Sequence, residues 1–133
     1  MAKTIFMSAS YSYGLEIYEI LDNGNLLHGV CSNMLKNRKE LQPYEIDTEI
    51  ARKDAKDPYY NNGIEGEYTS RYIETTPNPK IVTPCILKIT KCGEVYEFEW
   101  RTPKDKVFFK GIGMKVGHSH IAVSYTNAKE FLK

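Results

Sequence analysis

The stretch Cys85–Tyr125 constrains the fold more than any other part of this chain. Strand-forming segments are separated there by short turn signals, and aromatic or glycine residues recur at alternate positions. This alternation matches the pleat of a β-strand, in which successive side chains point to opposite faces. We therefore predict a β-meander over this stretch, and we expect the remaining strands to close against it.

Aromatic residues on one segment of the predicted meander are followed by glycines on the next. An aromatic triplet, Y-x-F-x-W, alternates along one face of Glu94–Arg101, and the next segment carries Gly111 and Gly113 on one face. Two glycines on one face weaken a strand unless they allow a sharp bend or leave room for bulky neighbours. We predict that Phe98 or Trp100 lies over the gap that these glycines leave.

The order of these features resembles the C-terminal half of calycin-like barrels, whose named relatives are lipocalin-like and avidin-like proteins. The matching pattern is Y-x-F-x-W, a turn, F-x-G-x-G, a further glycine turn and an apolar closing strand, all within Cys85–Tyr125. The Gly-x-Trp of many lipocalins is absent near the first strand, and a single Trp in the chain excludes the tryptophan set of avidins. The resemblance therefore implies a barrel shape and no particular ligand.

Further strands are indicated on both sides of a clear hairpin signal, Asp22-Asn23-Gly24-Asn25. Gly14 is expected to bend or end the first strand, and Pro84 is tolerated only at an edge or a bulge. The strands predicted outside the meander are Thr4–Tyr13, Leu15–Leu21, Leu26–Ser32, Glu67–Thr75 and the beginning of Ile81–Lys91. About eight or nine strands with regular turns and little helix predict an all-β chain. We expect residues 1–133 to form a single antiparallel barrel or barrel-like sandwich.

The segment Tyr44–Ala51 allows two interpretations. As a helix it places only Ile46 and Ile50 on one face, whereas as a strand it alternates β-forming residues with Glu45, Asp47 and Glu49. The fuller match to a period of two favours the strand, and helix is the alternative. In the strand interpretation the acidic residues face solvent.

Acidic residues on the predicted strands are expected to lie outside the barrel, in water. They are Glu45, Asp47, Glu49, Glu97 and Glu99. A pair of inward carboxylates for acid–base chemistry is therefore not predicted. Inside the barrel, only Tyr hydroxyls and His28 are candidates for an acid or a base.

Composition excludes several classes of protein. A length of 133 residues suits one domain, and a net charge of +1 with interspersed signs argues against nucleic acid as the main partner. Three cysteines without a C-x-x-C motif predict free thiols and a reducing compartment. His118-x-His120 lacks a third metal ligand, and no cofactor motif is present. Since no apolar leader or membrane-length run occurs, we expect a cytoplasmic protein without membrane contact.

The leading functional hypothesis is non-enzymatic binding of a small hydrophobic or aromatic molecule inside the barrel. An eight-stranded barrel can just hold one small ligand, and the predicted inner face is rich in aromatic residues. If the barrel is filled, the same residues form its core. The predicted ligand-binding residues are Tyr11, Tyr13, Tyr96, Phe98, Trp100, Phe109 and Tyr125.

Two other functions are kept as alternatives. A protein–protein interaction module or a subunit of an oligomer is suggested by Tyr59 and Tyr60, which lie in the long polar segment Arg52–Gly66. A small barrel enzyme of isomerase or lyase type is the second alternative, and it requires an inward acid or base. Because barrels host many unrelated functions, the expected fold does not decide among the three.

Overall fold

A computed structural model of the chain describes residues 13–33, 46–74, 80–81 and 84–128. These residues are all-β, without any helix of seven or more residues among them. The strands are β1 (Tyr13–Leu21), β2 (Leu26–Asn33), β3 (Asp47–Lys53), β4 (Gly66–Glu74), β5 (Lys80–Ile81), β6 (Cys85–Cys92), β7 (Val95–Arg101), β8 (Val107–Val116) and β9 (His120–Asn127).

Eight of these strands form a closed antiparallel barrel. Neighbours follow the order β1, β2, β3, β4, β6, β7, β8, β9, and β9 pairs back with β1. The short β5 pairs with the end of β4, and Pro84 lies between β5 and β6. Closure leaves no long free strand edge. The predicted fold class, an all-β antiparallel barrel, is confirmed.

Gly14 lies inside β1, so the prediction that a strand ends at this residue is wrong. A Cβ atom at this position would lie 2.5 Å from the carbonyl oxygen of Ser32 and 2.5 Å from the ring of Tyr125. The missing side chain therefore makes room for a tyrosine ring. The predicted strand Thr4–Tyr13 lies outside the described residues except for Tyr13, which begins β1.

The strand interpretation of Tyr44–Ala51 is confirmed for its described part, because Asp47–Lys53 forms β3. The prediction of which face points inward is wrong. Glu49 and Ala51 are fully buried, whereas Ile46 is 61% exposed. The pairing explains the reversal, since Glu49 lies opposite Gly29 on β2 and its carboxylate finds donors inside the barrel.

The gap predicted at the glycines of β8 is present. A Cβ atom on Gly113 would lie 2.7 Å from the ring of Phe98 and 3.0 Å from Ile121. A Cβ atom on Gly111 would lie 2.6 Å from the carbonyl oxygen of Ser124 and 3.0 Å from the Cβ atom of Tyr125. Phe98 thus takes the predicted place, and β8 approaches the core without side chains at these two positions.

The loop of residues 54–65 closes one end of the barrel. The Lys53 ammonium group donates to the carbonyl oxygens of Tyr59 at 3.0 Å and Gly63 at 2.7 Å. Ile64 is buried in the core, and the Asp57 carboxylate accepts the backbone N–H of Glu67 on β4 at 3.0 Å. This loop, which forms most of the polar segment Arg52–Gly66, is therefore anchored to the barrel. We call this end of the barrel the loop end.

Candidate functional site

Four of the predicted ligand-binding residues come together in the interior. The rings of Trp100 and Tyr125 have centroids 5.5 Å apart, and Phe109 is 5.2 Å from Tyr125. Phe98 lies 5.7 Å from Trp100 and stacks on Tyr18 at 5.8 Å. The alternation in the sequence thus identified a continuous aromatic lining.

The other predicted site residues are placed differently. Tyr96 is half-buried and packs against the core from β7. Tyr13 is the first residue of β1, and Tyr11 lies outside the described residues. Tyr59 is 40% exposed and the neighbouring Tyr60 is half-buried, both in the loop of the loop end. This pair therefore lies apart from the aromatic lining.

The most unusual feature of the interior is a buried polar group of residues, which we call the carboxyl cluster: Glu16, Tyr18, Glu49, Ser70 and Trp100. Glu49 is fully buried. Its Oε1 accepts the Tyr18 hydroxyl at 2.8 Å, and its Oε2 accepts the Trp100 indole N–H at 3.1 Å as well as the Ser70 hydroxyl. Three donors from three other strands therefore converge on one carboxylate.

Gly29 allows this convergence. Tyr18, Gly29 and Glu49 lie in register across β1, β2 and β3. A Cβ atom on Gly29 would lie 2.5 Å from Oε2 of Glu16 and 2.8 Å from the Tyr18 ring. Because β2 has no side chain at this point, the residues of β1 and β3 meet across it.

Glu16 is the member whose bonding is incomplete. It is only 2% exposed, and its Oε2 has no hydrogen-bond partner. Burial raises the pKa of Glu16 well above its ordinary value, and the neighbouring Glu49 carboxyl raises it further. The neutral form of Glu16 is thereby favoured, and the two carboxyl groups are coupled in their proton binding.

The surroundings of the cluster also disfavour added negative charge. Burial, followed by the charges of the two glutamates, raises the pKa of the Tyr18 and Tyr72 hydroxyls. Burial and Glu49 raise the pKa of the Cys85 thiol to about 12. These groups therefore stay protonated near neutral pH.

No basic side chain offsets the carboxyl cluster within the part of the chain that the structure describes. Lys53 is the only buried basic residue there. It follows Glu49 by four positions, about 13 Å along the strand, and its ammonium group is bonded to the loop at the loop end. The cluster lies in the other half of the barrel, near the beginnings of β1 and β3.

The prediction that all the acidic strand residues face water is wrong for Glu49. It is right for Glu97 and for Glu99, which forms an ion pair with Arg101 at 2.7 Å on the outside. Asp47 is half-buried, and Glu45 lies outside the described residues.

His28 is exposed, so it is not the inward base that was considered. The inward acid or base that the enzyme hypothesis required is supplied instead by Glu16 and Glu49.

Sequence reasoning missed Glu16 because of the residues beside it. Leu15 and Ile17 alternate with Glu16 and Tyr18, and apolar residues usually mark the inner face of a strand. In this barrel Leu15 is 68% exposed and Ile17 is 51% exposed. Gly29, which lies opposite Tyr18 on β2, was the available signal, but its meaning depends on the pairing of the strands.

Several large apolar residues lie on the outside of the barrel, and we call them the outer apolar band. It consists of Leu15, Ile17, Val30, Ile112, Met114 and Val116. Val30, Ile17 and Met114 align in one row across β2, β1, β9 and β8, with Ala122 between Ile17 and Met114. The band is therefore continuous on one side of the barrel.

Other predicted sites were compared with the structure. His118 and His120 are exposed at the β8–β9 turn, and no group of three or more metal-ligating side chains occurs among the described residues. Cys31 and Cys85 are buried, while Cys92 is exposed at the end of β6. Within the described ranges, no helix has the length and hydropathy needed to cross a membrane.

Comparisons with protein-family models, with curated proteins and with solved structures found no match to this chain.

Proposed function

We propose that this protein is a calycin-like barrel that binds a small organic molecule in its interior without transforming it. The observation that carries the proposal is the Glu16–Glu49 pair, buried in a core that is otherwise largely aromatic and aliphatic. Leaving a buried polar group unpaired costs about 1–3 kcal/mol, and Oε2 of Glu16 is unpaired. A core that serves stability alone gains nothing from this arrangement.

The position of the carboxyl cluster supports the same function. The aromatic rings of Trp100, Tyr125 and Phe109 adjoin it and supply the apolar contacts that small-molecule sites use. The loop of residues 54–65 occupies the loop end, so we expect the ligand to approach from the opposite end. Polar groups set among apolar walls fix the orientation of a bound molecule.

Native mass spectrometry of protein purified gently from cell extract tests the proposal. We expect a discrete adduct that is lost on denaturation, and a lower melting temperature once the adduct is removed. A ligand at 100 times its Kd stabilises the folded state by about 2.7 kcal/mol. Bare protein, together with unchanged melting after repeated extraction of small molecules, would contradict the proposal.

A matched pair of variants locates the binding. Trp100→Phe keeps an aromatic ring in the carboxyl cluster but removes the donor to Glu49, and it should reduce the amount of adduct. Tyr59→Phe changes an exposed ring at the loop end and should leave the adduct unchanged. Equal loss in both variants would place the binding outside the cluster.

Self-association is a second candidate function, and the outer apolar band favours it. Contiguous exposed apolar residues mark interaction surfaces, and the band would meet its own copy in a symmetric pair. The band spans about 14 Å across the strands and about 13 Å along β8, so it covers about 200 Å². This is well short of the roughly 800 Å² per partner of a standard interface. We therefore expect weak pairing.

Sedimentation velocity between about 10 µM and about 1 mM tests the pairing, which corresponds to micromolar or weaker affinity. The average mass should rise with concentration in the natural protein and stay constant in Ile17→Lys. A change at the opposite side, Lys88→Ala, serves as the control. A constant mass in the natural protein would exclude this candidate.

A further inference from the structure

We infer that the ligand carries a protonated amine, which the Glu16–Glu49 pair receives. The inference rests on the proposed function, and it narrows the ligand from hydrophobic or aromatic molecules in general to organic cations. Its basis is the balance of charges and of hydrogen-bond donors inside the barrel.

The buried charges inside the barrel favour a cationic ligand. Two carboxyl groups are buried side by side, and among the described residues the only buried basic group, Lys53, is bonded to the loop end. A buried carboxylate without a positive partner is costly. Without a cation the pair is relieved by a proton on Glu16, and with a cationic ligand it is relieved by the ligand itself.

The hydrogen bonds point to the same ligand. Glu49 accepts three donors, whereas Oε2 of Glu16 accepts none. Once Glu16 is ionised the missing element is a donor, and a carboxylate or ketone on the ligand would not supply one. A primary ammonium group brings three donors and no acceptor.

The neighbouring rings supply the apolar side of the site. Tyr18 and Trp100 donate to Glu49 through the hydroxyl and the indole N–H, so the edges of their rings point to the carboxylate. Phe109 and Tyr125 then adjoin the apolar part of the ligand.

Binding has a proton balance that can be measured. Glu16 in its neutral form gives its proton to solvent when the ammonium group arrives, and the resulting carboxylate pairs with the cation. Up to one proton is therefore released for each amine bound. A neutral ligand of the same shape releases none.

The experiment compares 2-phenylethylamine with its neutral counterpart 2-phenylethanol and its anionic counterpart phenylacetate, alongside alkylamines and alkanols from one to six carbons. Trp100 is the only Trp of the chain, so its emission reports occupancy of the cluster. We expect at least one amine to bind about tenfold or more tightly than its alcohol. Calorimetry in phosphate and in MOPS buffer, neither of which is a primary amine, then measures the protons released.

Two variants assign the effect to Glu16. Glu16→Gln should weaken amine binding about tenfold or more and abolish proton release, while binding of the alcohol is unchanged. Glu19→Gln alters an exposed residue of the same strand and should behave like the natural protein. Near-UV circular dichroism shows whether each variant is folded.

The outcomes separate this inference from the proposed function. If alcohols or carboxylates bind as tightly as the amines, or if an adduct without basic nitrogen is recovered, the amine inference is refuted and the binding function stands. If no probe binds and the purified protein carries no adduct, both are refuted. Amine binding that is unchanged in Glu16→Gln also refutes the inference.

Discussion

Replacing Glu16 with Gln should change how the stability of the protein depends on pH. The raised pKa of Glu16 means that the folded state holds a proton which the unfolded state releases near the ordinary pKa of a glutamate. The stability that Glu16 contributes is therefore fully present below the ordinary pKa of a glutamate. It falls as the pH rises toward the pKa of Glu16 in the folded protein.

The magnitude follows from proton linkage for a single group. One proton bound only by the folded state lowers the free energy of unfolding by about 1.4 kcal/mol per pH unit. From about pH 5.5, where an unfolded glutamate has lost its proton, this loss applies to each pH unit over which folded Glu16 keeps its proton. With a urea slope of about 2 kcal/mol/M, the midpoint should fall by about 0.7 M per pH unit. Gln is neutral at every pH, so the variant should lack this fall.

Urea unfolding followed by Trp100 emission, at several pH values between about pH 5.5 and about pH 7.5, measures the effect. The natural protein and Glu19→Gln should lose stability in parallel, whereas Glu16→Gln should keep a nearly constant midpoint and be the most stable form at about pH 7.5. A pH slope in Glu16→Gln equal to that of the natural protein would refute the reasoning. Glu16 would then not hold the extra proton.

Three further predictions concern packing and reactivity. Gly29→Ala should lower the free energy of unfolding by about 1–3 kcal/mol through overpacking, whereas Val30→Ala on the outer face should change it by about 0.5 kcal/mol or less. Equal destabilisation of the two variants in urea titration would contradict the placement of Glu16 over Gly29. Gly113→Val should cost about 3 kcal/mol or prevent folding, because its side chain would enter the space of Phe98; unchanged melting would show that this contact is absent. Cys92 should react with a thiol reagent in the folded protein, whereas Cys31 and Cys85 should react only after unfolding. Both are buried, and the raised pKa of Cys85 also suppresses its thiolate. Equal reaction rates of the three cysteines in the folded protein would contradict this.

The sequence by itself determined the strands and their connections. Alternation over Cys85–Tyr125 and the turn residues around Gly24 follow from local conformational preferences. Most described strands lie close to their predicted positions, but the predicted strand Ile81–Lys91 is divided into β5 and β6 on either side of Pro84. The aromatic lining of β7 was predictable for the same reason, because its outer residues are charged and its inner residues are apolar. Cytoplasmic location and the absence of a nucleic-acid partner stay predictions.

Only the tertiary structure decided which faces of β1 and β3 point inward. Both faces of β1 carry apolar residues, so alternation alone does not show whether Ile17 or Tyr18 points into the barrel. The choice depends on partners distant in sequence: Trp100 is 51 positions from Glu49, and Tyr18 is 31 positions away. Closing the barrel brings these donors to one carboxylate across the space left by Gly29, and a buried carboxylate is tolerated only where such donors meet. The carboxyl cluster is therefore a product of strand register, which no local pattern encodes.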